Sequence, residues 1–87
     1  MTESRITNED AEGDYLVVLI AFKNRVASFS VKSLDDAQYE AGRLAKGRQA
    51  QGKPTHRAYA RQIESRKVIK RQRYFTFGQE IELNVAT

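Results

Sequence analysis

The chain contains no cysteine and no tryptophan, one proline, one histidine and no apolar run longer than eight residues. Without cysteine there are no disulfides, thiolate metal sites or thiol nucleophiles, a composition that suits a reducing compartment. The run "YLVVLIAF" (15–22) is too short to span a bilayer and follows an acidic stretch, so neither a membrane helix nor a secretory signal is expected. These features point to a cytoplasmic protein.

The inventory for chemistry is equally thin. His56 stands near Pro54 with no evident carboxylate partner and reads as an ordinary surface histidine. The acid pairs Glu9-Asp10 and Asp35-Asp36 fall in a polar leader and at a helix start, while Glu80 and Glu82 alternate with apolar residues as a solvated face would. Gly42, Gly47 and Gly52 recur at spacing five in "GRLAKGRQAQGK", without the Gly-Lys-Ser/Thr order of a phosphate-binding loop. No metal site, no cofactor and no enzymatic activity are expected. The signatures of sequence-reading nucleic-acid modules are missing too: there is no RNP motif, GXXG loop, zinc-knuckle spacing or helix-turn-helix pair.

What the chain does have is charge, unevenly placed. Of 87 residues 30% are charged and 40% hydrophobic, a soluble composition sufficient for one domain with a modest core. Residues 1–14 carry five acids against Arg5, a sum of −4, whereas 41–73 carry eleven bases against Glu64, a sum of +10. Such asymmetry suggests an anionic partner.

The first 14 residues lack periodicity and read as a flexible acidic tail, with a single domain over 15–87. "YLVVLIAF" and "RVASFSVK" predict a strand hairpin, since Ala27, Phe29 and Val31 alternate with Ser28 and Ser30 and Lys23-Asn24 offers a turn in which Asn tolerates positive φ. Ser33 opens a helix with Leu34, Ala37, Ala41, Leu44 and Ala45 on one face, closed by Gly52 and Pro54. Beyond Thr55 the pattern forks. Alternation of Arg57, Tyr59, Arg61 and Ile63 against Ala58, Ala60 and Gln62 predicts a second hairpin that turns at 64–66, while the helix-forming Ala, Arg, Gln and Lys of 57–72 leave a second helix as the alternative. The segment 80–86 reads as a short fifth strand or an extended tail.

The fold class is therefore α+β: a small antiparallel sheet, order β-β-α-β-β, with one amphipathic helix on one face. Because the strand at 15–22 is apolar on both sides, its second face needs a cover, and a homodimer through 15–22 would supply one.

The expected function is that of a small basic binding protein whose open sheet face contacts an anionic macromolecule, foremost nucleic acid. Cations at phosphate spacing and flat side chains for stacking are the chemistry required. Arg57, Tyr59, Arg61, Lys70 and Tyr74 are the expected primary contacts, on the argument that Phe75 and Phe77 are core and the even-numbered residues of their strand face outward. Arg66, Lys67, Arg71 and Arg73 form the rim. The competing class is a protein-binding inhibitor or adaptor of the kind mobile elements such as phages encode, docking on an acidic or nucleic-acid-handling host protein.

Overall fold

A computed structural model of the chain describes residues 13–85 in full and the backbone of Thr2–Arg5. The elements run β1 (Thr2–Arg5), β2 (Tyr15–Ala21), β3 (Asn24–Val31), α1 (Leu34–Ala50), β4 (Arg57–Ile69), β5 (Gln72–Phe77) and β6 (Ile81–Glu82). All pairings are antiparallel, in the order β1-β5-β4-β2-β3, with β6 also on β4. This is the α+β sheet with one helix that the sequence predicts, strand at 57–69 rather than a second helix. Within the segment expected as a flexible tail, Thr2–Arg5 pairs with β5 and the Gly13 N–H donates to Ser30 Oγ at 3.2 Å; Met1 and residues 6–12 lie outside the described residues.

The helix forms where the caps place it. Ser33 Oγ accepts the Asp36 N–H at 3.1 Å, Asp35 and Asp36 occupy the positive end of the dipole, and Gly52 leaves the last turn at φ 75°. Ala37, Ala41 and Ala45 are buried, the first two packing on Val17, Leu19, Ala58 and Ala60. Small residues on both surfaces let the helix lie close to the sheet, and Leu83 and Val85 of the terminal segment fill in beside them. Gln38 fastens that segment by a double hydrogen bond with the Asn84 backbone, Nε2 to the carbonyl at 2.6 Å and the Asn84 N–H to Oε1 at 2.9 Å. Leu34, expected on the buried stripe, is 38% exposed.

Both hairpins close with two residues at positive φ, the type I′ pattern that matches strand twist. The first uses Phe22 (55°) and Lys23 (84°), one residue earlier than the expected Lys23-Asn24 turn. The second uses Lys70 (52°) and Arg71 (70°), which corrects the turn expected at 64–66. There the chain instead makes a bulge: pairing with β5 shifts between Ile63 and Ser65, and β4 runs on to Ile69, 13 residues in all.

The bulge decides the sidedness of everything beyond it. A single extra residue flips the alternation, so Arg57, Tyr59, Arg61 and Ile63 before it share a face with Arg66 and Val68 after it. Phe75 and Phe77, opposite Arg66 and Ile63, belong to that same face. They are core, as expected, but not on the side away from Arg57 and Arg61. Both are 2% exposed and join Leu16, Val18 and Ile63 in a second apolar cluster, with Ile20 and Tyr59 at its border. The second face of β2 is thus covered within one chain, by β5 and the middle of β4, which removes the reason for expecting a homodimer through 15–22.

Candidate nucleic-acid interface

β4 presents its cations in two settings. Its proximal half pairs with β2 on one edge and β6 on the other. Register places Glu82 opposite Tyr59, and the Arg57 guanidinium is gripped there by two carboxylates: its Nε donates to Glu82 Oε1 at 2.8 Å and its Nη2 to both Glu80 and Glu82. Hydrogen bonds from Arg57 to Glu82 and then Glu80 hold its pKa above the ordinary arginine value, so its charge is constant through any working pH. The same guanidinium lies 4.7 Å over the Tyr59 ring. Arg61 donates from Nε to the Gly78 carbonyl at 2.8 Å and sits 5.3 Å over Phe77.

Three of the expected primary contacts, Arg57, Tyr59 and Arg61, are therefore engaged in holding β4, β5 and β6 together. The acids that engage Arg57 lie 23 and 25 residues away in sequence. Alternation with Ile81 makes them look like solvated strand residues, and nothing local signals their partner.

Past the bulge the setting changes. β2 ends its pairing at Gln62, with the Asp14 carbonyl taking the Ile63 N–H at 2.7 Å, so among the described residues 64–69 pair only with β5. β4 and β5 leave the rest of the sheet as an arm that β1 flanks along Tyr74–Phe77 and that is two-stranded, among the described residues, at its tip, Val68–Arg73; the molecule measures 42 × 22 × 19 Å. From Ser65 to Phe77 the arm carries five cations and no acid. Arg66, at its root, donates to the Gly13 carbonyl. A Cβ at Gly13 would overlap the Val31 backbone, so only glycine brings that carbonyl here. Lys67, Lys70, Arg71 and Arg73 are exposed and have no ion-pair or hydrogen-bond partner among the described residues.

Register distributes them. Arg66, Val68, Arg73 and Phe75 lie on one face of the arm, Lys67, Ile69, Gln72 and Tyr74 on the other, with Lys70 and Arg71 at the turn. Lys70 and Tyr74, expected beside Arg57 and Arg61, are thereby corrected: the first is at the tip, the second on the opposite face. The Tyr74 hydroxyl lies 3.1 Å from Gln72 Oε1 and the ring is half-buried. Val68 is 72% exposed and Ile69 49%, apolar side chains held in solvent near the tip.

The helix end contributes less. Arg43 is hydrogen-bonded to Glu40 at 2.6 Å, which lowers the Glu40 pKa and raises its own. Arg48 is tied to Pro54 O at 2.7 Å and Thr55 Oγ1 at 3.0 Å. His56, expected as a surface histidine, has a structural job: its Nδ1 accepts the Phe22 N–H at 2.9 Å and its ring meets Phe22 edge-on, 4.5 Å between centroids. Among the described residues there is no group of three or more His, Cys, Asp or Glu residues that could hold a metal and no helix long and apolar enough to cross a membrane. No protein-family model matches the chain, and searches of curated proteins and of solved structures return no significant similarity.

Proposed function

We propose that this chain is a small, non-enzymatic binding protein that holds an anionic macromolecule, nucleic acid, on the arm formed by β4 and β5. One observation carries the reading. The proximal arginines are matched by carboxylates, carbonyls and rings of the chain itself, while Lys67, Lys70, Arg71 and Arg73 are gathered on one projection without a counter-charge among the described residues. Cations concentrated in this way repel one another, and a partner of dense negative charge relieves that repulsion while releasing its own counterions.

The test is a salt titration of binding to random-sequence oligonucleotides. Four phosphate contacts give log affinity a slope of about −3 to −4 against log salt, and replacing all four cations by alanine abolishes the dependence. Absence of binding at low salt would overturn the reading. A second reading, docking on an acidic host protein as an inhibitor or adaptor, draws on the exposed Val68 and Ile69, which a protein surface would bury. Capture of a lysate protein that survives nuclease treatment and is lost with Val68→Ser, Ile69→Ser would favour it.

A further inference from the structure

The shape of the arm narrows the class of nucleic acid. Proteins that hold single strands need a groove along which the backbone runs and exposed aromatic faces on which bases stack. The arm offers neither: Phe75 and Phe77 are 2% exposed, Tyr74 is half-buried beside Gln72, and off the arm Tyr59 is covered by the Arg57 guanidinium. Its cations do not line one face, as they would for a flat grip on a single backbone. Arg73 is on one face, Lys67 on the other, and Lys70 and Arg71 cap the end.

Charge on both flanks of a narrow projection fits a space walled on both sides by phosphate. We infer that the tip of the β4–β5 arm, a two-stranded ribbon over Val68–Arg73, enters the major groove of duplex DNA, an inference that rests on the nucleic-acid reading above. The B-form major groove is about 12 Å wide and admits such a ribbon, whereas the minor groove is about 6 Å wide. The A-form major groove of duplex RNA is deep and too narrow for side chains to read. In the DNA groove Lys67 and Arg73 face opposite phosphate walls. Lys70, Arg71 and Gln72 reach the floor, where guanine offers N7 and O6 and adenine N7 and N6. Val68 and Ile69, one on each face near the tip, meet thymine methyl groups, which gives these exposed apolar side chains a ligand.

The arm also has the right reach. From the Lys67–Tyr74 pair, the last that β1 flanks, the three residues Lys67 to Ile69 extend about 10 Å at the usual strand rise, comparable with the groove's depth of about 8.5 Å. β1 widens the root along Tyr74–Phe77; beyond it, among the described residues, nothing pairs with the outer edge of either strand of the tip.

The experiment measures binding of the full chain, by fluorescence anisotropy at low salt, to a random-sequence DNA duplex, the RNA duplex of the same sequence and each DNA strand alone. The DNA duplex is expected to bind at least about tenfold tighter than the others, and a fourfold rise in salt to weaken it about 10²-fold. At saturating protein, dimethyl sulfate methylation of guanine N7, in the major groove, falls while that of adenine N3, in the minor groove, persists. Val68→Ser, Ile69→Ser, both exposed, lowers duplex affinity several-fold, leaves the melting temperature unchanged and has no effect on single strands. Equal or tighter binding to single strands or duplex RNA, or protection of adenine N3 in place of guanine N7, overturns the groove assignment and leaves the nucleic-acid reading standing. No binding to any of the four overturns both.

Discussion

The two halves of β4 are built from the same materials and end in opposite states. Arg57, Tyr59, Arg61 and Ile63 before the bulge, like Arg66, Lys67, Val68 and Ile69 after it, interleave cations with apolar or aromatic residues. In the proximal half each cation finds a partner because β6 and the Gly78 turn run alongside and deliver two carboxylates and a carbonyl. In the distal half, among the described residues, β4 pairs only with β5, whose own Arg73 adds charge and no acid, and Arg66 at the root reaches a carbonyl, that of Gly13, and no carboxylate among the hydrogen bonds described. Interleaved bases and aromatics are therefore not in themselves a binding surface; what decides is which residues the register sets opposite them.

The junction between the halves carries the largest expected effect. Phe75, on the arm strand, is buried against the cluster that includes Leu16, Val18 and Ile63, so it pins the arm to the sheet. Phe75→Ala should destabilise the fold by about 3–5 kcal/mol, from lost transfer energy and an unfilled cavity. For a domain of this size that is a large share of the total. Urea unfolding measures it, and a loss under about 1 kcal/mol would mean the arm moves independently and the two halves are not one structure.

Next come the charges that distinguish the halves. Lys70→Ala with Arg71→Ala should weaken DNA binding about 10²-fold near 0.1 M salt and flatten the salt slope by roughly 1.8, with stability within about 0.5 kcal/mol of the parent. Arg57→Ala should do the reverse: a stability loss of about 1 kcal/mol or less, since the pair is exposed, and little change in affinity. Similar losses of affinity from both would show that binding answers to net charge and not to the arm.

The comparison can also be inverted. Glu80→Gln with Glu82→Gln leaves Arg57 in place and removes its counter-charges, which makes the proximal half resemble the distal one. Affinity should rise by up to about tenfold, roughly one further phosphate contact, with the salt slope steeper by about 0.9. An unchanged slope would show that the duplex never approaches the proximal half.

Much of this contrast was hidden from the sequence for physical reasons. The first hairpin and the helix were legible because their signals are local: Ala27, Phe29 and Val31 alternate, and Ser33 caps a stripe of Ala37, Ala41 and Ala45. The turns were misplaced because polar residues suggested them. Asn24 and the Glu64-Ser65-Arg66 stretch looked like breaks, whereas the chain turns at Phe22-Lys23 and Lys70-Arg71, residues with no preference for positive φ. Of the nine expected contacts, the rim residues Lys67, Arg71 and Arg73, with Lys70, form the arm's unpartnered set. Arg57 and Arg61 do not, because Glu80, Glu82 and Gly78 reach them only through strand pairing across the sheet.

The two turns supply the smallest prediction. Each sets two side-chain-bearing residues at positive φ, at a cost of about 1 kcal/mol or more per residue. At the first turn the structure offers compensation, since His56 receives the Phe22 N–H and meets its ring. At the second, Lys70 and Arg71 have no partner among the described residues, so strain and charge repulsion coincide at the tip. Replacing them as Lys70→Asn, Arg71→Gly installs the pair that type I′ turns favour and removes both charges. The arm should then be stabilised by about 1 kcal/mol, read as several-fold slower hydrogen exchange at the Ile69 and Gln72 amides, while affinity for the duplex falls about as far as in the double alanine variant. Opposite movements of stability and binding would show that the tip is composed for contact at the expense of its own turn. Faster exchange at those amides would instead mean that Lys70 and Arg71 stabilise the turn, and the second setting would then be structural like the first.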